Sequence, residues 1–481
     1  MRRADGTSVP LSDGPDEISF AATALDRLLA RIGVNRRDTG GAIRFTGTDP
    51  VVQSRLRYGA ATASALAAQG AAVAAIWRQR SGRGQDVSVS LPRAVLHGLR
   101  TVFELRQNGH GFVVGSPGAS QFYRTADGRH LYCVRNPDYP HLAPNLLGFL
   151  RCANTPEAIA KAIGGWHSGE LEEAMAESRL PAVMVRSPDE WSAHPQGRWL
   201  LKRPGVEIER IGDSPAEPLG PAPRPLSGIR VLDASHVIAG PATARSLAEQ
   251  GASVLHVSAP HQPDPIQMMM DLGLGKRAAY IDLNRVEDAR RLRELAGQSD
   301  IFVESWRPGA LARRGFSPRD LAALRPGIIY VSVSCYGAEG PWASRAGYEP
   351  IGQAVCGLSA TEGSLVAPRN APTVTMNDYL SAYLAAAGAL GALLRRSREG
   401  GSYHVRTSLT QASMWVLGCG LLPEAVSRIP IMQNAELPAH QTMQSAFGEI
   451  RHVPCVTEYS ETRAYWELPP EPFGGARPAW W

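Results

Sequence analysis

Pro225–Pro260, PLSGIRVLDASHVIAGPATARSLAEQGASVLHVSAP, is the stretch that decides the fold. GIRVLDAS is a short apolar run that reads as a buried strand. ATARSLAEQG reads as a helix that stops on glycine, and ASVLHVS as a second buried strand. The alternation continues downstream. DARRLRELAGQ is a helix, DIFVES a strand, PRDLAALRP a helix and IIYVSVS a strand. Strands alternating with helices predict an α/β fold, a parallel sheet with helices on its faces. A nicotinamide-dependent dehydrogenase shares that pattern, but no G-x-G-x-x-G follows the first strand.

Outward from this unit, the chain repeats itself. Residues 66–94, LAAQGAAVAAIWRQRSGRGQDVSVSLPRA, align without a gap to residues 384–412, LAAAGALGALLRRSREGGSYHVRTSLTQA. Leu66, Gly70, Arg78, Gly82, Val87 and Ser90 recur as Leu384, Gly388, Arg396, Gly400, Val405 and Ser408. Each copy reads as an Ala-rich helix, a basic last turn, a Gly stop and a short strand. The small side chains predict close packing against a neighbouring helix.

The repeat divides the chain. Residues 1–50 are a leader of uncertain order. Residues 51–211 are a partial first copy, with a strand pair around TADGRH and helices over 155–164 and 168–178. They form a smaller α+β part. Residues 212–226 are a Pro-rich linker. Residues 227–425 hold the strand-helix alternation, and residues 426–481 are a wrapping tail rich in Pro and Trp.

Composition narrows the function. Of 481 residues, 44% are hydrophobic and 20% charged, a globular balance. A net charge of +5 is too small to suggest a nucleic-acid partner and suits an anionic small ligand. No apolar run reaches about eighteen residues, so no membrane span is expected. The six cysteines never form C-x-x-C, which argues against a zinc site or a disulfide framework. A reducing cytoplasm is the expected compartment, with no metal.

Four segments, taken in order, resemble the family III CoA-transferases, the group of formyl-CoA and carnitine CoA-transferases and methylacyl-CoA racemase. They are the opening stretch, GLGKRAAYIDLNR (273–285), FVESWRPGALARRGF (302–316) and the run from IIYVSVSCYG to CGLSATEG (328–363). GRGQDVSVSL (82–91), FYRTADGRHLYC (122–133) and the tail HVPCVTEYSETRAYWELPPEPFGG also resemble the family, but in rearranged order. The resemblance implies a Rossmann-like sheet, a smaller domain and an interlocked homodimer. It implies transfer of coenzyme A between an acyl-CoA and a carboxylic acid, with CoA as a substrate.

The family's nucleophile matches Asp378, in TVTMNDYLSAYLAAAG. A carboxylate there forms an anhydride and then an aspartyl-CoA thioester. An Asp at a helix start is otherwise simply a cap. The repeat places Ala60 opposite Asp378, so at most one site is expected. His236, Ala239 and Gly240 match the family's first loop, at the carboxyl end of the sheet, where ligands bind. Lys276, Arg277, Arg307 and Arg313 match basic positions suited to CoA phosphates, or are solvated surface charges. Trp306, beside Ser305, is placed to stack on adenine, or is a core aromatic. Ile238 and Ser258 stand where family members can carry Gln and an acidic residue.

Tyr348 stands where racemase-like members carry His, which favours transfer over racemization, since Tyr titrates too high to act as that base. Glu349 is a substrate contact or a helix-start acid. A non-catalytic acyl-CoA-binding descendant is the remaining alternative.

Overall fold

The computed structural model describes residues 17–112, 121–136, 139–261, 264–372, 376–424 and 439–481. Residues 17–50, which sequence leaves unassigned, are built into the fold. Glu17–Ile32 is a helix that buries Ala21, Leu25, Leu28, Leu29 and Ile32, a stripe at helical spacing. The strand Ile43–Thr46 (β1) pairs in parallel with Val87–Ser90 (β2). The stripe is legible in SFAATALDRLLARI once it is separated from the polar residues around it.

The short strands Arg106–Gln107 (β3) and His110–Gly111 (β4) form a hairpin. Gln121–Arg124 (β5), His130–Cys133 (β6) and Ala182–Met184 (β7) make the small antiparallel sheet. Its helices, Pro156–Ile163 and Ser168–Glu177, fall where the sequence places them.

The main sheet comprises Glu207–Gly212 (β8), Arg230–Asp233 (β9), Ser253–Ser258 (β10), Lys276–Tyr280 (β11), Ile301–Glu304 (β12), Ile329–Ser334 (β13) and Ser402–Ser408 (β14). Their order is β11-β10-β9-β12-β13-β14-β8. Every pair is parallel except β14 with β8. Val231, Leu232, Phe302, Val303, Ile329 and Val331 are fully buried, as strands covered on both faces must be. The edge strand β8 precedes the Pro-rich linker, so the boundary at 212–226 does not divide the sheet. The tail contributes a hairpin, Gln441–Ser445 (β15) with Gly448–His452 (β16), and Glu458–Tyr459 (β17). Residues 426–438 of the expected tail, and residue 425 before it, lie outside the described residues.

The repeat is physical. Tyr58–Ser81 and Met376–Glu399 are 24-residue helices, and Gly82 and Gly400 both stop them in the left-handed conformation, at φ 74° and 67°. A Cβ on Gly70 would stand 2.6 Å from Val87 Cγ1. A Cβ on Gly388 would stand 2.6 Å from Val405 Cγ1. The two copies thus bury equivalent strands on equivalent glycines. In each, a central strand has a parallel neighbour on one side and an antiparallel one on the other: β1-β2-β17 mirrors β13-β14-β8.

The two helices pack against each other inside one chain. Their small-residue faces, from which close packing against a neighbouring helix is expected, therefore meet within one chain. Tyr58–Ser81 is also, among the described residues, the helix long and apolar enough to cross a membrane, and its apolar window is wholly buried in the fold.

Candidate active site

The loops after β9 and β12 converge at the carboxyl edge of the sheet, where the strand order reverses. His236 and Trp306 stack with ring centroids 4.0 Å apart. Ser305 Oγ accepts from His236 N at 3.0 Å and donates to His236 O at 2.9 Å, while the Trp306 indole N–H donates to Ala234 O at 2.8 Å. Ser305 and Trp306 thus tie the two loops together, and His236 already covers one indole face. The helix Ala239–Ala248 begins at this junction. A Cβ on Gly240 would lie 2.4 Å from Ser235 Cβ, so the approach needs glycine. Val237 has φ +67°, unusual for a β-branched residue, and its N–H donates to Asp264 Oδ2 at 3.0 Å. Such strain persists where surrounding contacts enforce it.

Below the loop lies a buried charge cluster. Asp233 accepts hydrogen bonds from Ser235, from Lys276 Nζ at 2.8 Å and from the His256 ring at 3.0 Å. Lys276 Nζ also donates to Pro241 O at 2.6 Å and is 2% exposed. Burial opposes ionisation of Asp233, but Lys276 and His256 outweigh it and hold the carboxyl below the usual carboxylate range. The expectation that Lys276 contacts a phosphate is therefore corrected. Its ammonium braces the helix start from beneath, because strand alternation turns it into the fold. Arg277, on the opposite face of β11, lies 4.6 Å over the Trp481 ring. Arg307 and Arg313 are exposed, and neither makes an ion pair among the described residues. Arg307 borders an open cleft with Arg319, Ser334 and Glu304.

Glu304 is buried, and its Oε2 accepts from Trp306 N at 2.8 Å. Burial pushes its carboxyl up to about 7, with that bond and Ser332 opposing. A raised folded-state pKa means stability that is full below the unfolded value near 4.5 and lost as pH rises through about 7. Glu304→Gln is expected to flatten that loss. Urea unfolding at about pH 5 and about pH 8 should differ between wild type and variant by up to about 3 kcal/mol. Parallel pH dependence in the two proteins would show that Glu304 titrates normally.

Asp378 sits in the first turn of Met376–Glu399, 7% exposed. Burial raises its carboxyl well above the ordinary range. Glu349 opens the helix Glu349–Cys356, is 2% exposed, and is raised by burial and by the charge of Asp378. The two buried carboxyls are electrostatically coupled, and burial favours the protonated form of each. Gln353, one helical turn on, donates from Nε2 to Glu349 Oε1 at 2.8 Å and Oε2 at 3.0 Å. Its Oε1 accepts from Ala371 N at 2.9 Å, in the segment leading to Asp378.

Tyr348 joins the two clusters. Burial and the charge of Asp264 push its phenol up to about 12, with Arg307 opposing. Its ring lies 5.7 Å from that of Tyr139, whose hydroxyl reaches Met268 Sδ at 3.8 Å.

The first copy differs at the matching point. Ala60 N and Gly59 N donate to the Asp49 carboxylate at 2.9 and 2.8 Å. A loop residue caps that helix, and Ala60 has no reactive group.

The structure thus gathers His236, Ala239, Gly240, Ser305 and Trp306 at one junction. It places Asp378 with Glu349, and Tyr348 between the two groups. Lys276 supports this junction from beneath through Pro241, and Arg277 turns to the opposite face of β11. Sequence reasoning missed Gln353, legible four residues after Glu349, and Tyr139, for which no local signal exists.

A family model described as CoA-transferase family III matches residues 29–200 and 226–447. Acetyl-coenzyme A transferase nodX of Hypoxylon pulicicidum is 32% identical over 320 residues, covering 62% of this chain and 54% of the relative. Succinyl-CoA–D-citramalate CoA-transferase of Chloroflexus aurantiacus is 35% identical over 190 residues, covering 37% and 47%. The chain spans about half the length of the curated relatives it matches. A solved CAIB/BAIF family protein from Brucella suis is 25% identical, with a TM-score of 0.37 over 47% of this chain and 65% of that one.

Proposed function

Because this chain belongs to CoA-transferase family III, we propose that it moves coenzyme A between an acyl-CoA and a carboxylic acid, with Asp378 as nucleophile. The observation that carries this reading is the Asp378 carboxyl, buried in the first turn of a helix in electrostatic contact with Glu349.

The Asp378 carboxylate adds to the thioester carbonyl, and the CoA thiolate leaves, giving an aspartyl-acyl anhydride. The thiolate then attacks the aspartyl carbonyl and releases the donor acid, leaving an aspartyl-CoA thioester. The acceptor carboxylate attacks that thioester, the CoA thiolate leaves, and an aspartyl anhydride of the acceptor forms. CoA thiolate attacks its acyl carbonyl, the new acyl-CoA departs, and Asp378 returns as carboxylate. Each step exchanges one anion for another, so no net proton moves. The coupling requires Glu349 to stay protonated while Asp378 attacks as the carboxylate, and the dipole of the helix start favours that anion. Arg307 and Arg313, exposed and without an ion pair among the described residues, suit the phosphates of CoA. Tyr348 in place of a titrating His supports transfer over racemization.

A ligand that binds only the native state stabilises it. CoA or a short acyl-CoA at about one hundred times its Kd should add about 2.7 kcal/mol, read as a raised melting temperature. Incubation with a panel of acyl-CoAs, followed by intact mass measurement, identifies the donor. Absence of binding by calorimetry at millimolar CoA rejects the reading.

A further inference from the structure

We propose that the N-terminal copy is the chain's own partner protomer: it completes the Asp378 site in cis, with Tyr139 as a wall of the acyl pocket. The Tyr139 part rests on the reading of Asp378 as nucleophile; the cis packing does not.

The first observation is symmetry. Ser397 Oγ donates to Gln79 Oε1 at 3.1 Å. These residues occupy matching positions of the two repeat helices, 318 apart. In an isologous interface, residues on the twofold axis meet their own counterparts. Here that contact falls within one polypeptide. The sheets beneath obey the same relation, β2 on Gly70 and β14 on Gly388.

The second observation is what the first copy does at the site. The segment 335–348 leads from β13 to Tyr348 and Glu349, and residues from the N-terminal half hold it. Gln196 Nε2 donates to Tyr336 O at 2.7 Å and Glu339 O at 2.9 Å, and its Oε1 accepts from Trp342 N at 2.9 Å. The His194 ring lies 4.3 Å from Trp342, and the Arg186 guanidinium 5.0 Å from it. Arg186 N donates to Ala354 O at 3.1 Å, on the helix that carries Glu349. Tyr139, from the same half, covers Tyr348 and reaches Met268. Without residues 130–196, the segment bearing Tyr348 and Glu349 loses these anchors and Tyr348 loses the ring packed on it.

Two measurements on the full chain test this. Gln79→Cys with Ser397→Cys, joined by a short bis-thiol reagent, should yield a cross-link within single chains, seen as one chain length on a denaturing gel. Covalent dimers would place the contact between chains and overturn the cis arrangement, whatever the enzymatic activity. Tyr139→Ala should raise the KM of the acyl donor about tenfold while the Kd of free CoA stays constant, and Tyr139→Phe should restore the wild-type KM. Unchanged KM values across donors in Tyr139→Ala would remove Tyr139 from the pocket. A wild-type protein inactive with every donor would sink the transfer reading and the Tyr139 wall with it, and leave the cross-link result standing.

Discussion

Replacing Asp378 by asparagine is expected to lower CoA transfer by at least about 10³-fold, the scale on which loss of a covalent nucleophile is felt. The amide cannot form the anhydride, because its nitrogen and oxygen are not an anionic nucleophile at neutral pH. Its shape is that of the carboxyl, so the helix start should keep its geometry. The fold should not suffer, since burial disfavours the native carboxylate. CoA binding should stay within about threefold, because the substitution changes neither the size of the side chain nor any basic group suited to the phosphates. Hydroxylamine should trap an activated aspartyl group in the wild type and not in the variant. Ala60→Asp should create no second activity. Ala60 is fully buried, and its N–H already meets Asp49, so a second carboxylate there would face the first. Full turnover by Asp378→Asn with a cognate donor would reduce Asp378 to a cap.

The largest expected effect on stability comes from Asp271→Ala. Asp271 is fully buried; its Oδ1 meets Arg245 Nη1 at 2.7 Å and its Oδ2 accepts from the Tyr379 hydroxyl at 2.7 Å. Arg245 is 2% exposed, with its guanidinium 5.3 Å from the Tyr379 ring and 5.4 Å from that of Trp466. Alanine would leave a buried guanidinium without its counter-charge and a buried phenol without its acceptor. Breaking such a pair costs about 3–5 kcal/mol, a large part of the 5–15 kcal/mol that separates folded from unfolded chains. Urea denaturation should show the loss as a lower midpoint with the same slope. Arg245→Met combined with Asp271→Leu should recover most of it, because apolar residues of similar volume need no counter-charge. A loss below about 1 kcal/mol in Asp271→Ala would mean that water or another group takes over the pairing. Tyr379 is next to Asp378 in the chain, so activity should fall along with stability.

Much of this was readable from local chemistry. The strand-helix alternation after Pro225 follows from apolar runs punctuated by Gly and Pro, and the main sheet contains every strand so read. The repeat was readable because Gly82 and Gly400 stop matching helices at matching points. Asp378, Tyr348 and Glu349 were singled out through the motifs around them. The direction in which Lys276 points was not readable. A strand alternates its faces whichever way it is turned, and only the packing of β11 beside β10, with Asp233 next in line, makes the Lys276 face the interior.

The sequence therefore carried the kinds of elements, their order and the reactive residue types, since those depend on neighbours a few positions away. Three features depended on contacts between residues hundreds of positions apart, for which no periodicity or spacing exists. These are the meeting of Gln79 with Ser397, the hold of Gln196 on the segment before Tyr348, and the placing of Tyr139 over that ring. Burial and pairing at such distances are settled by the free energy of the whole packed chain, in which each local choice is consistent with many arrangements and the assembled core with one.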